Sequence, residues 1–122
     1  MRNLTGPGEW DYDYNNDILF FKVKNREYSN SIEFKSFVID FDAENYIVGL
    51  QIFDASTLFK LPKISLKGIN SWKLSAKIED SSIEIDFLFN AVIRNKIVEK
   101  NPMIFERVSE EIPNSEMVCE VQ

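Results

Sequence analysis

Twenty of the 122 residues are Asp or Glu and none is His, so any chemistry this chain performs has to be carboxylate chemistry. Without imidazole there is no Ser-His-Asp or Cys-His nucleophilic site, and no zinc or iron site built on histidine. The single Cys119 can neither hold a metal alone nor close an internal disulfide. The four glycines form neither G-x-G-x-x-G nor G-x-x-x-x-G-K-[ST], the loops that cradle nucleotide phosphates. No cofactor is expected.

The acids fall into two groups. Asp11, Asp13, Asn15 and Asp17 alternate like the start of a calcium loop, and Asp40, Asp42 and Glu44 do so again. Each group fails where such a loop is most demanding. The sharp-turn glycine is replaced by Asn16 or Asn45, and the bidentate Glu by Lys22 or Gln51. No metal is therefore expected. Asp13, Asp17, Asp40 and Asp42 are the candidate catalytic residues if paired strands bring two of them together in a cleft, as glycoside hydrolysis requires. Asp54 could join them. The simpler reading is that these acids cap turns and keep sheet edges wet. Trp10, Tyr12 and Tyr14 share one side of a strand, where they could stack a sugar or base. As one face of a packed strand they need no ligand, with Asp11 and Asp13 turned to water.

The elements that must position these residues read as strands. Ile18–Val23, Phe37–Phe41 and Ile47–Phe53 are rich in β-branched and aromatic residues. Gly49 inside the last of these suggests a bulge or a close backbone approach. Asp42-Ala43-Glu44-Asn45 reads as a hairpin turn, with Asn45 in the left-handed conformation. The clearest pattern is Trp72, Leu74, Ala76, Ile78, then Ile83, Ile85, Phe87, Phe89, alternating with polar residues on both arms. It predicts a hairpin with Ile78 opposite Ile83, Ala76 opposite Ile85, Leu74 opposite Phe87 and Lys77 opposite Glu84. One short helix is expected near residues 56–60, capped by Asp54 or Ser56 and stopped by Pro62. Residues 91–101 fit either an irregular strand or a helical turn, and a last strand is read after Pro102.

Together these predict an all-β or nearly all-β fold: a predominantly antiparallel sheet of six to eight strands around one core, in a single domain spanning 1–122. Residues 1–8, with Gly6-Pro7-Gly8, read as a flexible lead-in. Residues 109–122 read as an acidic tail, where the free thiol of Cys119 is easily tolerated.

The stretch from Tyr12 to Ser56 resembles the family catalogued as domain of unknown function 2283. That family's pattern runs approximately Y-D-x-x-x-D-x-L-Y-I, then V-x-D-x-D-x-x-G-x-I-V-G-I-E-I-x-D-A-S. It is met here by Tyr12-Asp13, Asp17, Leu19, Val38, Asp40, Asp42, Ile47-Val48-Gly49, Ile52 and Asp54-Ala55-Ser56. Asn45 stands in place of the first Gly, and Gln51 in place of Glu. The resemblance implies a small β-rich fold and no particular activity; pairing with a small toxin-like protein is an association sometimes proposed for members.

A net charge of −6 repels phosphate backbones and anionic lipid, so neither nucleic acid nor membrane is an expected partner. The N-terminus lacks the pattern of a signal peptide, and the cytoplasm is the expected compartment. Ile18 and Phe20 lie on the opposite face of their strand from Leu19, Phe21 and Val23, so both faces need covering. The C-terminal half of the chain could supply the second cover, but its 72–90 hairpin has only one apolar face, so a symmetric homodimer is the simplest remedy; another small protein is the other expected partner. The leading expectation is a non-catalytic protein-interaction module. The alternative is a small carboxylate-dependent enzyme acting on a small molecule or sugar. A concave pocket with converging acids would favour the enzyme, and an exposed apolar patch or open sheet edge the module.

Overall fold

Period-two alternation buries one face of each arm, so residues 72–90 have one favoured register, and they adopt it. In the computed structural model, which describes residues 1–122, β6 (Trp72–Glu79) and β7 (Ser82–Ile93) pair with Ile78 opposite Ile83, Ala76 opposite Ile85 and Leu74 opposite Phe87. Asp80 and Ser81 both have positive φ, 51° and 62°, as a two-residue primed turn requires. Lys77 stands opposite Glu84 as expected, but its ammonium is ion-paired with Glu79 at 3.0 Å. The segment 91–101 resolves as strand. Arg94 and Asn95 make a second tight turn with φ of 50° and 65°, returning the chain along β7 as β8 (Lys96–Lys100) and then β9 (Met103–Arg107).

The N-terminal half forms β1 (Arg2–Asp13), β2 (Ile18–Val23), β3 (Asn30–Glu33), β4 (Phe37–Phe41) and β5 (Ile47–Ile52). The β4–β5 hairpin turns where the sequence places it. Asn45 has φ 66° and its N–H donates to the Asp42 carbonyl at 3.1 Å, with a register shift at Asp40/Phe41. Gly49 is a close approach: a Cβ there would lie 2.9 Å from an Asp40 carboxylate oxygen and 3.0 Å from the Phe21 carbonyl.

Two short helices follow β5 rather than one. They are α1 (Ala55–Phe59), close to the expected position, and α2 (Lys63–Lys67), which starts from Pro62. α1 is closed by Lys60 in the left-handed conformation (φ 56°), two residues before the expected stop at Pro62, which instead opens α2.

Both ends of the chain differ from expectation. The acidic tail contains β10 (Ser115–Val121), an interior strand whose Ser115, Met117, Cys119 and Val121 are buried while Glu116 and Glu120 face outward. Residues 2–8 of the expected lead-in are strand, running parallel to β10 with Arg2 opposite Ser115 and Gly8 opposite Val121. Gly8 is required by that pairing, because a Cβ on it would collide with the Cys119 sulfur. From Gly8 onward β1 pairs with β2 instead, which lets one strand join the two halves.

The result is a ten-stranded mixed sheet, ordered β3-β4-β5-β2-β1-β10-β6-β7-β8, with β9 also on β7. It has more strands than the six to eight expected, because the two chain ends and the β8–β9 return each add pairing. Only β1–β10 is parallel. The sheet folds over on itself. Phe21 on β2 lies 5.9 Å from Phe87 on β7, four strands away along the sheet, and Phe59 of α1 closes on Phe87 at 5.0 Å. The buried Ser115 hydroxyl accepts the Ile47 N–H at 3.2 Å, fastening β10 to β5 across the same core. Ile18 and Phe20 are half-buried on the outer face, Phe20 between Asp11 and Gln51.

Candidate functional site

Asp17 occupies the left-handed region (φ 57°) at the end of the β1–β2 loop and is buried. A buried carboxylate must be hydrogen-bonded, and this one is. It accepts from the Tyr12 hydroxyl at 2.6 Å, the Ser56 hydroxyl at 2.6 Å and the Ser56 N–H at 3.0 Å. Its backbone carbonyl takes the Ala55 N–H at 3.1 Å. Asp17 therefore supplies from another loop the cap that α1 lacks locally: Asp54 precedes the helix but makes no side-chain cap bond. Burial opposes ionisation of Asp17, yet the hydrogen bonds from Ser56 and Tyr12, with Lys63 nearby, hold its carboxyl below the usual range. Burial and the bond to Asp17 push the Tyr12 phenol up. A general acid or base works best when its pKa approaches the operating pH. These two groups move away from neutrality in opposite directions.

The other acids are held in turns and edges. Asp42 is buried, accepts the Glu44 and Tyr46 N–H groups at 2.9 and 3.0 Å, and pairs with Arg26 at 3.2 Å. Asp40 accepts the Ser31 hydroxyl at 2.6 Å. Asp13 accepts the Asn16 N–H and side-chain amide at 3.1 and 2.8 Å, and those bonds lower its pKa. Asp13, Asp17 and Asp54 share one end of β5, Asp42 lies past the other with about 17 Å of strand between, and Asp40 stands opposite Gly49 in mid-strand. No group of three or more His, Cys, Asp or Glu side chains is arranged to hold a metal. Of the aromatic trio, Trp10 packs edge-on against Trp72 at 5.5 Å and Tyr12 bonds Asp17. Only Tyr14 is exposed, beneath the ammonium groups of Lys63 and Lys67.

The exposed apolar surface lies elsewhere. β8 and β9 follow a single register on β7: Phe89 stands opposite Lys100 and Asp86 opposite Met103, so Asn101 and Pro102 fall in step between them. The Phe87 N–H donates to the Pro102 carbonyl at 3.0 Å, and the Val108 N–H to the Ser81 carbonyl at 3.0 Å. Residues 96–107 are thus one long edge strand, interrupted only where Pro102 has no N–H to give. Antiparallel pairing alternates its bonding partners. The even-numbered residues direct their backbone at β7, and Ile97, Glu99, Asn101, Met103, Phe105 and Arg107 direct theirs to an edge with no further strand. The same six side chains are all exposed. Ile97 is 77% exposed, Met103 58% and Phe105 51%, with Val92 and Leu88 beside them on β7. Sequence reading gives the strand after Pro102 but leaves 91–101 open between strand and helical turn, because Ile97-Val98 breaks the alternation and Arg94 is an unusual residue for a turn with positive φ.

Set against known proteins, the profile of a family described as "Protein of unknown function (DUF2283)" matches residues 10–56. A Methanosarcina mazei protein named "Putative hypoxanthine phosphoribosyltransferase" is 30% identical over 100 residues, covering 82% of this chain and 81% of that one. A Methanocaldococcus jannaschii protein named only as uncharacterized is 28% identical over 95 residues, covering 77% and 82%. No solved structure matches. The matched segment begins at Trp10 and closes on the bond between Asp17 and Ser56.

Proposed function

The chain belongs to the family of proteins of unknown function DUF2283, and from that premise we propose that it is a non-catalytic protein-interaction module that binds through the edge strand 96–107. The observation that carries this reading is the coincidence, on one strand, of unpaired backbone groups and exposed Ile97, Met103 and Phe105. Monomers seldom leave apolar patches contiguous, and an open edge accepts another strand by backbone hydrogen bonding. Lys96 and Lys100, whose backbones face β7, and Arg107 at the end of the edge limit indiscriminate pairing and leave the run from Ile97 to Phe105 open.

The enzyme alternative is weakened by the placement of its candidate acids. Asp17 and Asp42 are internally bonded at opposite ends of β5, and Asp13 and Asp40 are each tied to a near neighbour. The name of the M. mazei relative implies recognition of a phosphorylated ribose, for which phosphate is usually cradled by a glycine-rich loop before a helix. Here Gly6, Gly8 and Gly49 lie within strands and Gly68 caps the end of α2.

The test is to isolate tagged protein from its native cell beside a Phe105→Lys variant. The reading expects the wild type to retain a defined protein, another copy of itself included, and the variant to lose it. Identical retention by both, or retention by neither, overturns the reading.

A further inference from the structure

Resting on the interaction reading, we propose that the partner of the 96–107 edge is a second copy of the chain, paired antiparallel about a two-fold axis through Asn101. Two copies of one edge strand can continue a sheet only about an axis perpendicular to it. That places each residue opposite one of the same face, with a single residue opposite itself.

About Asn101 the sequence is complementary to itself. Lys96 faces Glu106 of the second copy, Ile97 faces Phe105, Val98 faces Ile104 and Glu99 faces Met103. No like charges oppose, and the most exposed apolar side chain, Ile97, meets an exposed aromatic ring, extending the Val92–Ile97 row across the axis. Each of the five outward-facing residues from Ile97 to Phe105 has both an N–H and a C=O to exchange. The one proline, Pro102, has its backbone turned to β7, where its missing N–H costs the new ladder nothing.

The neighbouring registers are poorer. An axis through Lys100 sets that ammonium against itself, and an axis through Pro102 leaves Ile97 opposite Arg107 and Glu99 opposite Phe105. An axis through Glu99 sets that carboxylate against itself. An axis through Met103 keeps the charges matched but leaves Ile97 opposite Ser109, beyond the end of β9.

Light scattering after size exclusion, at tens to hundreds of micromolar, is expected to give twice the 14.2 kDa chain mass, and a monomer throughout that range overturns the proposal. Asn101→Cys reads the register. Opposite positions of a bonded antiparallel pair have Cα atoms about 5.5 Å apart, inside the disulfide range. Moving the axis to Met103 would stagger the two introduced thiols by about 13 Å along the strands. Mild oxidation is expected to give a covalent dimer from Asn101→Cys and none from Arg107→Cys, both exposed positions that leave the core intact. A dimer that fails to cross-link at position 101 overturns the register.

Charge exchange supplies a second check. Lys96→Glu is expected to weaken association at least tenfold, and the double variant Lys96→Glu/Glu106→Lys to restore it; failure of the restoration counts against the proposal. If the chain proves monomeric yet loses a different protein on Phe105→Lys, the self-pairing is wrong and the interaction reading stands.

Discussion

The segment 10–56 and the strands 72–107 treat their polar groups in opposite ways. In the first, the family pattern names Tyr12, Asp17, Asp40, Asp42, Gly49 and Ser56, and these satisfy one another. Tyr12 and Ser56 donate to Asp17, Asp42 closes its own turn, and Gly49 makes room for the Asp40 side chain. In the second, the side chains of the inner face are packed, but the backbone of the last strand and the apolar groups beside it are left unmatched. A recognisable set of acids can mark a fold lock rather than a reaction centre. The surface with unsatisfied bonding capacity lies outside the segment that the family profile matches.

The comparison breaks most directly at Asp17. Removing its carboxylate by Asp17→Ala leaves the half-buried Ser56 and Tyr12 donors without their acceptor, a loss of about 3 kcal/mol on the scale of charged hydrogen bonds. Urea unfolding should show it as a lower midpoint at unchanged slope. Gly49→Ala comes next. Its new methyl meets both the Asp40 carboxylate and the rigid Phe21 carbonyl, and overpacking of that kind costs roughly 2 kcal/mol. A wild-type midpoint in that variant would mean the Asp40 contact relaxes freely.

The strand count was underestimated for physical reasons visible at particular residues. Ser115, Met117, Cys119 and Val121 alternate as cleanly as β6 does, but Glu116 and Glu120 make the composition of that stretch look like a solvated tail. The pairing of β1 with β10 is set by contacts more than a hundred residues apart, and Gly8 shows its purpose only once Cys119 is known to lie against it. Burial also raises that thiol's pKa to about 11, which makes it a packing group rather than a nucleophile. By contrast the 72–90 register was legible because a one-residue slip would turn every apolar side chain to water. Asp17 was legible as a notable acid but not as a cap, since Ser56 is 39 residues away.

Acid should expose the same lock more gently. The Asp17 pKa is lowered by folding, so its stabilisation is fully present above the unfolded value near 4 and is lost as pH falls through the folded value. Midpoints measured from pH 5 down to pH 2 should fall for the wild type and fall less steeply for Asp17→Asn. Equal slopes would remove Asp17 from the account of acid sensitivity.

At the other end of the scale, Phe105→Lys alters an exposed side chain. In dilute solution, where association contributes nothing, it should shift stability by no more than about 0.5 kcal/mol. A large loss would place Phe105 in the fold and not on a binding surface.

Amide hydrogen exchange along residues 96–107, followed by NMR against protein concentration, tests the contrast between the two regions most directly. The N–H groups of Val98, Lys100, Ile104 and Glu106 point at β7 and should be protected at every concentration. Those of Ile97, Glu99, Asn101, Met103 and Phe105 should exchange quickly when dilute and become protected as concentration rises, giving an alternating pattern that fills in on association. Fast exchange of those five amides at all concentrations, with no partner protein able to slow it, would contradict the assignment of this edge as the working surface of the protein.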